Sequence, residues 1–216
     1  DPIRDLDAQI DQHASTGIGG LLQRLGRWGE LGDKAALVCG ASGRSITYAQ
    51  LPGRIRGCAD ALSSLGFEQG DVLGLHLPNS PEYAVAFLGT AGLGGTNTTS
   101  NPVYTTRELQ GQLEDSGAKF LLSSRLFEGV AEEAAAGVDS VEAVFYVEDE
   151  DCFVHADAGA GAAMPTPATP LAMRDDLLVL PYSSGTTGKP KGVMLSHYNV
   201  CANVLQLTTD PDVNLG

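Results

Sequence analysis

Apolar residues recur at two different spacings along this chain, and the spacing changes several times between residues 18 and 180. Short apolar runs predict strands at 35–39, 72–77, 119–123, 142–147 and 177–180. Apolar residues three and four positions apart predict helices at 18–28, 51–65, 81–91, 105–115 and 125–136. Strands that alternate with helices are typical of mostly parallel sheets with helices on both faces, so we predict an α/β fold.

Residues at the predicted helix ends support these assignments. Pro81 follows Ser80, which is the usual order of an N-cap and a first helical residue. Thr105 and Glu108 have the capping-box spacing, in which each side chain bonds to the backbone N–H of the other residue. Gly117 stands where the helix at 105–115 is predicted to end, because glycine readily adopts the left-handed conformation of a helix C-terminus.

Two polar stretches interrupt the alternation. The stretch GGTNTTSNP at 94–102 predicts a polar turn. Residues 148–173 are acidic and then rich in Ala, Gly and Pro, which predicts a loop or flexible insertion. We therefore divide the chain into an amino-terminal lead with a helix, an α/β subdomain, a linker and the start of a second α/β unit. Their bounds are 1–34, 35–147, 148–173 and 174–216.

The charge balance excludes several classes of partner. The 216 residues include 13 Lys+Arg and 27 Asp+Glu, a formal net charge of −14. Nucleic acids and anionic membrane surfaces both require a basic face, so neither is predicted as a partner. Ten of the acidic residues lie between Leu126 and Met173, where there is no Lys or Arg. The uncharged stretch 83–106 is too polar in its second half to predict a membrane span.

Cysteine and histidine residues do not favour a metal site. The four Cys lack CxxC spacing, and the four His are scattered singly along the chain. The first residues, DPIRDLDAQIDQ, are acidic and do not form a secretory signal peptide. We therefore expect a cytoplasmic protein, with a peroxisomal location left open because both ends of the chain look cut.

The segment Leu180–Lys191 carries the candidate chemistry. It reads LPYSSGTTGKPK and follows an apolar strand. Glycines let backbone N–H groups approach a phosphate, hydroxyl groups add donors to phosphate oxygens, and a lysine offsets negative charge. Lys189 and Lys191 are the only Lys or Arg residues after Arg174, so their position in this segment favours a polyphosphate site.

Other motifs rich in glycine do not fit the spacing. A Walker A loop has four residues between its glycines, whereas two residues separate Gly185 from Gly188. A nucleophile elbow has a glycine two residues before its serine, where this chain has Pro181 before Ser183. A flexible linker or a hairpin loop is the plain structural alternative. The strands predicted on both sides, at 177–180 and 192–195, disfavour it.

The same segment resembles a family signature. LPYSSGTTGKPKG is similar to the signature of the AMP-forming acyl-adenylating superfamily, which includes acyl–CoA synthetases and peptide-synthetase adenylation domains. The paired serines and the following VMLSH are most similar to 4-coumarate–CoA ligase-like enzymes. Residues 46–51, 65–95 and 101–122 resemble the amino-terminal part of the same enzymes. The resemblance covers roughly 35–200 and implies the incomplete amino-terminal domain of such an enzyme.

The resemblance also implies a reaction in two steps. ATP activates a carboxylic acid, 4-coumarate or a related aryl or fatty acid, as an acyl-adenylate, and the acyl group then passes to coenzyme A. Mg²⁺ would share the phosphate charge. The residues implied to hold the ATP phosphates are Ser183, Ser184, Gly185, Thr186, Thr187 and Lys191. The catalytic lysine of the family would lie beyond Gly216, so no catalytic residue is assigned. Tyr182 is expected to pack, and His197 to cap a helix or lie at the surface.

Two alternatives stay open at this point. The chain lacks the family's Tyr-Gly-x-Thr-Glu loop and carboxy-terminal domain, which predicts a fragment of a larger enzyme. A natural short product would instead bind a nucleotide or a partner without catalysis. In a peptide-synthetase adenylation domain, the acyl acceptor would be a carrier-protein thiol. The acid and the oligomeric state have no signal in the sequence.

Overall fold

A computed structural model describes residues 6–25, 28–159, 161–183 and 190–209. The helices are α1 (Leu6–Asp11), α2 (Gly17–Leu25), α3 (Trp28–Leu31), α4 (Leu51–Ser64), α5 (Pro81–Gly92), α6 (Thr106–Ser116), α7 (Glu128–Ala136) and α8 (His197–Thr209). The strands are β1 (Ala35–Val38), β2 (Ser45–Thr47), β3 (Val72–His76), β4 (Thr96–Thr99), β5 (Phe120–Ser123), β6 (Ala143–Tyr146), β7 (Leu177–Ser183), β8 (Lys191–Gly192) and β9 (Leu195–Ser196). Short 3₁₀ turns lie at Arg125–Phe127 and Phe153–His155.

The described strands form one seven-stranded sheet and a separate two-stranded ribbon. The order in the large sheet is β6-β5-β3-β4-β7-β8, and β9 also pairs with β7. All neighbouring pairs within the group β3 to β7 are parallel. Strands β8 and β9 are antiparallel to β7. The ribbon consists of β1 and β2. The prediction of a mostly parallel α/β fold is confirmed.

Strand β5 shows how helices cover both faces of the sheet. Leu121 packs with apolar residues of α6 and α7. Its neighbours Phe120 and Leu122 pack with β3, α4 and α5. Because successive side chains of a strand point to opposite faces, these two clusters lie on opposite sides of the sheet. A third cluster joins α1, α2 and α8 to β7 around Leu178.

The helix ends form at the residues that the sequence indicates. The Ser80 hydroxyl accepts a hydrogen bond from the Tyr83 backbone N–H at 3.2 Å and caps α5. Both halves of the α6 capping box are present, and the Thr105 N–H donates to the Glu108 carboxylate at 2.8 Å. Gly117 ends α6 with a φ of 64°, in the left-handed region.

Residues 148–173 include no strand or α-helix among those described, but part of the segment is buried. The side chains of three consecutive residues are at most 4% exposed: Cys152, Phe153 and Val154. Just after them the segment crosses α4, where an added Cβ on Gly57 would lie 2.5 Å from the Ala156 backbone. The described part of the segment is thus a loop whose apolar residues complete the core against α4.

The strand that follows this segment, β7, joins the same sheet as β3 to β6. The division of the chain into structural units at 34, 147 and 173 stays a prediction. The uncharged stretch 83–106 contains most of α5 and all of β4. Within the described residues, no helix combines the length and the apolar character needed to cross a membrane.

Candidate functional site

Strand β7 leads the chain to the candidate segment. Its apolar first half is buried, since Leu178 is 0% and Val179 9% exposed. It runs parallel to β4, with Thr99 opposite Pro181. Ser183 is the last residue of β7 and so lies where the parallel strands reach their carboxyl ends. Ligands of open α/β sheets bind at this edge, which makes it a suitable place for a nucleotide.

Ser183 and Lys191, at the two ends of the predicted site, lie opposite each other. Strands β7 and β8 pair antiparallel, with Ser183 opposite Lys191 and Tyr182 opposite Gly192. Both predicted site residues are exposed. In the described part of the chain, no carboxylate lies within ion-pair distance of Lys191. The pairing therefore presents a hydroxyl and an ammonium group side by side to solvent.

The other predicted site residues lie outside the described residues. They are Ser184, Gly185, Thr186 and Thr187, followed by Gly188 and Lys189. Their assignment to ATP phosphates stays a prediction. What the structure describes is the pair of residues on either side of them, Ser183 at the end of β7 and Lys191 at the start of β8.

The segment after the motif differs from the prediction of one strand at 192–195. The structure has two short strands, β8 and β9, and both pair antiparallel with β7. Between them, the Val193 N–H donates to the Pro181 carbonyl at 2.8 Å. Strand β7 thus has β8 beside its carboxyl end and β9 beside its amino end, with Val193 and Met194 between the two short strands.

The other neighbour of β7 is a polar strand that sequence reasoning missed. Residues 96–99, TNTT, form β4 between β3 and β7, so the prediction of a turn over 94–102 is wrong at these four positions. The Thr96 hydroxyl donates to the Leu177 carbonyl at 3.0 Å, and the Thr98 hydroxyl donates to the Leu180 carbonyl at 3.2 Å. Such bonds let polar side chains be buried. The three β-branched threonines were the available signal for a strand.

Two buried amide side chains extend this polar layer to the helices. Asn97 Nδ2 donates to the carbonyl oxygen of Phe87 in α5 at 3.1 Å. From α6, Gln112 Nε2 donates to Thr98 Oγ1 at 2.9 Å and to the Thr99 carbonyl at 3.0 Å. Helices on both faces of the sheet are therefore bonded to the strand that lies beside β7.

Tyr182, the residue before Ser183, contacts both α6 and β8. Its hydroxyl donates to Asp115 Oδ2 at 2.5 Å. Burial and, next, this hydrogen bond raise the pKa of Tyr182, so the phenol stays protonated at neutral pH. An added Cβ on Gly192 would lie 3.1 Å from the Tyr182 ring. The ring therefore packs on β8, as expected from the sequence.

His197 was expected to cap a helix or lie at the surface, and the second of these expectations is wrong because the residue is buried. It begins α8 and is 0% exposed. Its backbone N–H donates to the Asp176 carbonyl at 3.1 Å. Burial lowers the pKa of His197 to about 4, against a small opposing effect of Asp176. The ring is therefore neutral at pH 7 and adds no positive charge for a phosphate.

The cavities of the described chain lie away from the paired residues. One cavity of about 900 Å³ is lined by Val72, Thr96 and Leu177, at the amino ends of three parallel strands. A second, of about 740 Å³, lies beside Ser80 at the start of α5. Neither of these two cavities is lined by Ser183 or Lys191, and both of these residues are exposed. Among the described residues, no group of three or more His, Cys, Asp or Glu side chains is placed to hold a metal ion.

Comparison with known families identifies the segment. The family model described as "AMP-binding enzyme" matches residues 27–215, which include β1 to β9 and the whole candidate segment. The chain belongs to the AMP-binding enzyme family. This confirms the resemblance on which the predicted site rests.

Curated relatives from this family are 4-coumarate–CoA ligases. The chain is 37% identical over 188 residues to 4-coumarate–CoA ligase 1 of Petroselinum crispum, covering 86% of this chain and 34% of the relative. It is 40% identical over 184 residues to 4-coumarate–CoA ligase 5 of Oryza sativa subsp. japonica, covering 85% of this chain and 33% of the relative. The chain therefore spans about a third of the length of the curated relatives it matches.

A solved structure of the same kind shares the fold. The anthranilate CoA ligase AuaEII, solved in complex with anthranoyl-AMP, aligns with a TM-score of 0.69 and 26% identity. The alignment covers 85% of this chain and 34% of that one. The mostly parallel sheet and its helices are thus the arrangement of an acyl–CoA ligase.

Proposed function

We propose that this chain supplies an ATP-phosphate site to an enzyme that activates a carboxylic acid and transfers its acyl group to coenzyme A. The observation that carries the proposal is the backbone pairing of Ser183 with Lys191. Ser183 and Lys191 are the first and the last of the predicted phosphate-site residues, and the chain belongs to the AMP-binding enzyme family.

The chemistry explains why a phosphate site is needed. A carboxylate is a poor acyl donor, because its oxygen is a poor leaving group. In the first step, a carboxylate oxygen bonds to the α-phosphorus of ATP while the bond to pyrophosphate breaks. In the second step, the thiol sulfur of coenzyme A bonds to the acyl carbon, AMP leaves with the bonding electron pair, and the thiol proton is released. Both steps require phosphate groups held in a defined place.

The residues of this chain would position phosphates and offset their charge. We propose that the Ser183 hydroxyl donates to a phosphate oxygen and that the Lys191 ammonium lies beside it. Ser184, Gly185, Thr186 and Thr187 would complete the set. None of them acts as a nucleophile in this proposal, since fixed donors and positive charge are what a polyphosphate requires.

We propose that Mg²⁺ reaches this site on the ATP. Magnesium binds through substrate phosphates and water together with one or two carboxylates, and rarely in an all-protein cage. The described residues offer hydroxyl and ammonium groups at the site and no cluster of metal ligands. They therefore fit the phosphate oxygens of a magnesium–nucleotide complex better than the ion itself.

We propose 4-coumarate or a related aryl or fatty acid as the substrate, and the cytoplasm as the location. The names of the relatives favour an aryl acid and a coenzyme A acceptor over a carrier-protein thiol. A second candidate is nucleotide binding without catalysis, because the chain spans only about a third of its relatives' length.

Calorimetry with Mg-ATP on the 216-residue chain tests the phosphate site. We expect binding, and we expect Lys191→Ala to weaken it by about ten- to a hundredfold, since removing one charged partner of a hydrogen bond costs about 1.5–3 kcal/mol. Lys34→Ala is the charge-matched control, because Lys34 is an exposed lysine on a different part of the chain. Absence of binding heat, or equal losses in the two variants, contradicts the proposed site.

Exchange of pyrophosphate into ATP tests the reaction. The protein from the complete reading frame is incubated with ATP, labelled pyrophosphate and a panel of aryl and fatty acids. Exchange that depends on the acid supports adenylation, and AMP release that depends on coenzyme A identifies the acceptor. Mg-ATP binding without exchange for any acid would favour the non-catalytic candidate.

A further inference from the structure

Helix α6 is joined to the end of β7 by two separate chains of hydrogen bonds. In the first, the Tyr182 hydroxyl donates to Asp115 Oδ2 at 2.5 Å. In the second, Gln112 donates to the Thr98 hydroxyl at 2.9 Å, and that hydroxyl donates to the Leu180 carbonyl at 3.2 Å. The two contacts lie two residues apart on β7, immediately before Ser183.

Tyr182 contacts both strands at the base of the signature segment. Its backbone belongs to β7, where it is paired with Gly192 of β8. Its ring lies against Gly192 so closely that an added Cβ there would be 3.1 Å away. A change in the position of this ring is therefore transmitted to both strands, and to Ser183 and Lys191 next to them.

Asp115, the hydrogen-bond partner of Tyr182, lies on a helix with well-defined ends and a buried face. Helix α6 begins with a complete capping box and ends at Gly117 in the left-handed conformation. Its inner face is buried, with Leu109 0% and Leu113 1% exposed. Packing of the helix therefore holds the backbone of Asp115, and the exposed Asp115 carboxylate forms a charge-assisted hydrogen bond with the Tyr182 phenol.

The charge of Asp115 argues against a direct role in phosphate binding. A carboxylate repels phosphate, so an acidic residue bonded to the neighbour of Ser183 weakens phosphate binding through its field alone. Any favourable effect of Asp115 must then come from where it holds Tyr182. If Asp115 acts only through its electric field, removing its carboxylate should strengthen phosphate binding. If it acts by positioning Tyr182, removing the carboxylate should weaken phosphate binding.

We propose that Asp115 is a positioning residue that acts through Tyr182 to hold Ser183 and Lys191 in their paired arrangement for phosphate binding. This inference rests on the proposed phosphate site. It extends that site to a residue of α6, 68 positions before Ser183 in the chain.

The test measures binding of Mg-ATP and of Mg-tripolyphosphate to the 216-residue chain and its variants. Tripolyphosphate isolates phosphate contacts from those of the nucleoside. We expect Asp115→Ala and Tyr182→Phe each to weaken binding of both ligands by about three- to tenfold, the fold-change of an ordinary net hydrogen bond, because the lost bond acts on the phosphate site indirectly. The double variant should bind no more weakly than either single variant, because both remove the same bond. Asp115→Asn, which keeps an acceptor oxygen, should recover part of the affinity.

Asp60→Ala is the matched control. Asp60 is also an exposed helical aspartate, and it pairs with Arg56 on α4 at 2.8 Å. Denaturation curves for every variant separate an effect on binding from an effect on stability, and binding is measured well below the unfolding transition. Tyr182→Phe keeps the ring against Gly192, so it tests the hydroxyl even if Asp115→Ala proves unstable.

The outcomes distinguish this inference from the proposed function. If the unmodified chain binds neither ligand, the phosphate site is wrong and the inference fails with it. If the unmodified chain binds both ligands and the Asp115 and Tyr182 variants bind equally well or more tightly, the inference alone is overturned. A loss of affinity that occurs only in Asp115→Ala, and not in Tyr182→Phe, also overturns the inference.

Discussion

Strands β3 and β4 lie side by side in the centre of the sheet, yet their side chains are of opposite kinds. Strand β3 reads VLGLH, and its Leu73 and Leu75 are 0% exposed. Strand β4 reads TNTT, and its Asn97 and Thr98 are 0% and 1% exposed. Equal burial is thus reached with apolar side chains in one strand and with polar side chains in its neighbour.

The difference lies in what each strand requires from its surroundings. Apolar side chains are stabilised by any neighbouring group that removes their surface from water, because the hydrophobic effect has no direction. Polar side chains are stabilised only when each donor meets an acceptor in the right place. Strand β4 therefore depends on the carbonyl groups of β7 and on Gln112 of α6. It also helps to fix β7 in one register, since a shift by one residue would break these bonds.

The largest expected effect in this comparison is a truncation in β3. Leu75→Ala should lower the free energy of unfolding by about 2–5 kcal/mol, because it removes buried methyl groups and leaves a cavity. Denaturant unfolding measures it. The matched control is Leu126→Ala, at a leucine that is 81% exposed, which should change stability by less than about 0.5 kcal/mol. Similar values for the two variants would show that β3 is not held by apolar burial.

The polar end of β3 should produce a smaller effect that depends on pH. His76 is 0% exposed, its Nδ1 lies 3.1 Å from the Ser100 hydroxyl, and burial lowers its pKa from 6.5 to about 4. Above pH 6.5 the ring is neutral in both states. Between pH 6.5 and 4 the unfolded chain takes up a proton that the folded chain does not, so stability falls as the pH falls.

Between pH 7 and pH 5, this proton uptake lowers the free energy of unfolding by about 2 kcal/mol for one histidine. Unfolding curves at both pH values check it, with His76→Leu as the comparison. The variant should lose less stability than the unmodified protein over this range, by about that amount. Equal losses would mean that the ring is protonated within the folded sheet.

The smallest expected effect is in β4. Thr98→Val keeps the shape of the side chain but removes the hydroxyl that bonds to the Leu180 carbonyl and accepts from Gln112. It should lower the free energy of unfolding by about 1–2 kcal/mol, because two hydrogen bonds of about 1 kcal/mol each are lost while Gln112 keeps its bond to the Thr99 carbonyl. Denaturant unfolding under the conditions used for Leu75→Ala allows direct comparison. A more stable Thr98→Val protein would show that β4, like β3, is held by burial alone.

Local signals were sufficient for much of the fold. The start of α5 at Ser80 and Pro81, the capping box of α6 and its end at Gly117 all follow from contacts between residues near one another in the chain. The apolar periodicity placed β3, β5 and β6 for the same reason. Within the candidate site, the assignment of Ser183 and Lys191 to phosphate binding stays a prediction from the family resemblance, and the structure pairs these two residues across β7 and β8.

Long-range contacts explain what was missed. The Thr96 and Thr98 hydroxyls of β4 find their acceptors about 80 positions later in the chain, so the local signal for a strand is limited to the three β-branched threonines. His197 is buried because α8 returns against α1 and α2, and Phe153 because its segment packs on α4. Asp115 has no feature that separates it from other surface acids until Tyr182 is placed beside it.

Residue order was thus enough to specify most of the elements, the ends of α5 and α6 and the family resemblance of the signature segment, because these depend on backbone preferences and spacing within one segment. Which strands become neighbours depends on contacts between residues far apart in the chain, and these form only when the sheet assembles. That assembly places Ser183 opposite Lys191, β4 beside β7 and Asp115 beside Tyr182. The resemblance of the signature segment indicates phosphate chemistry. The assembled sheet places two of its residues, Ser183 and Lys191, opposite each other.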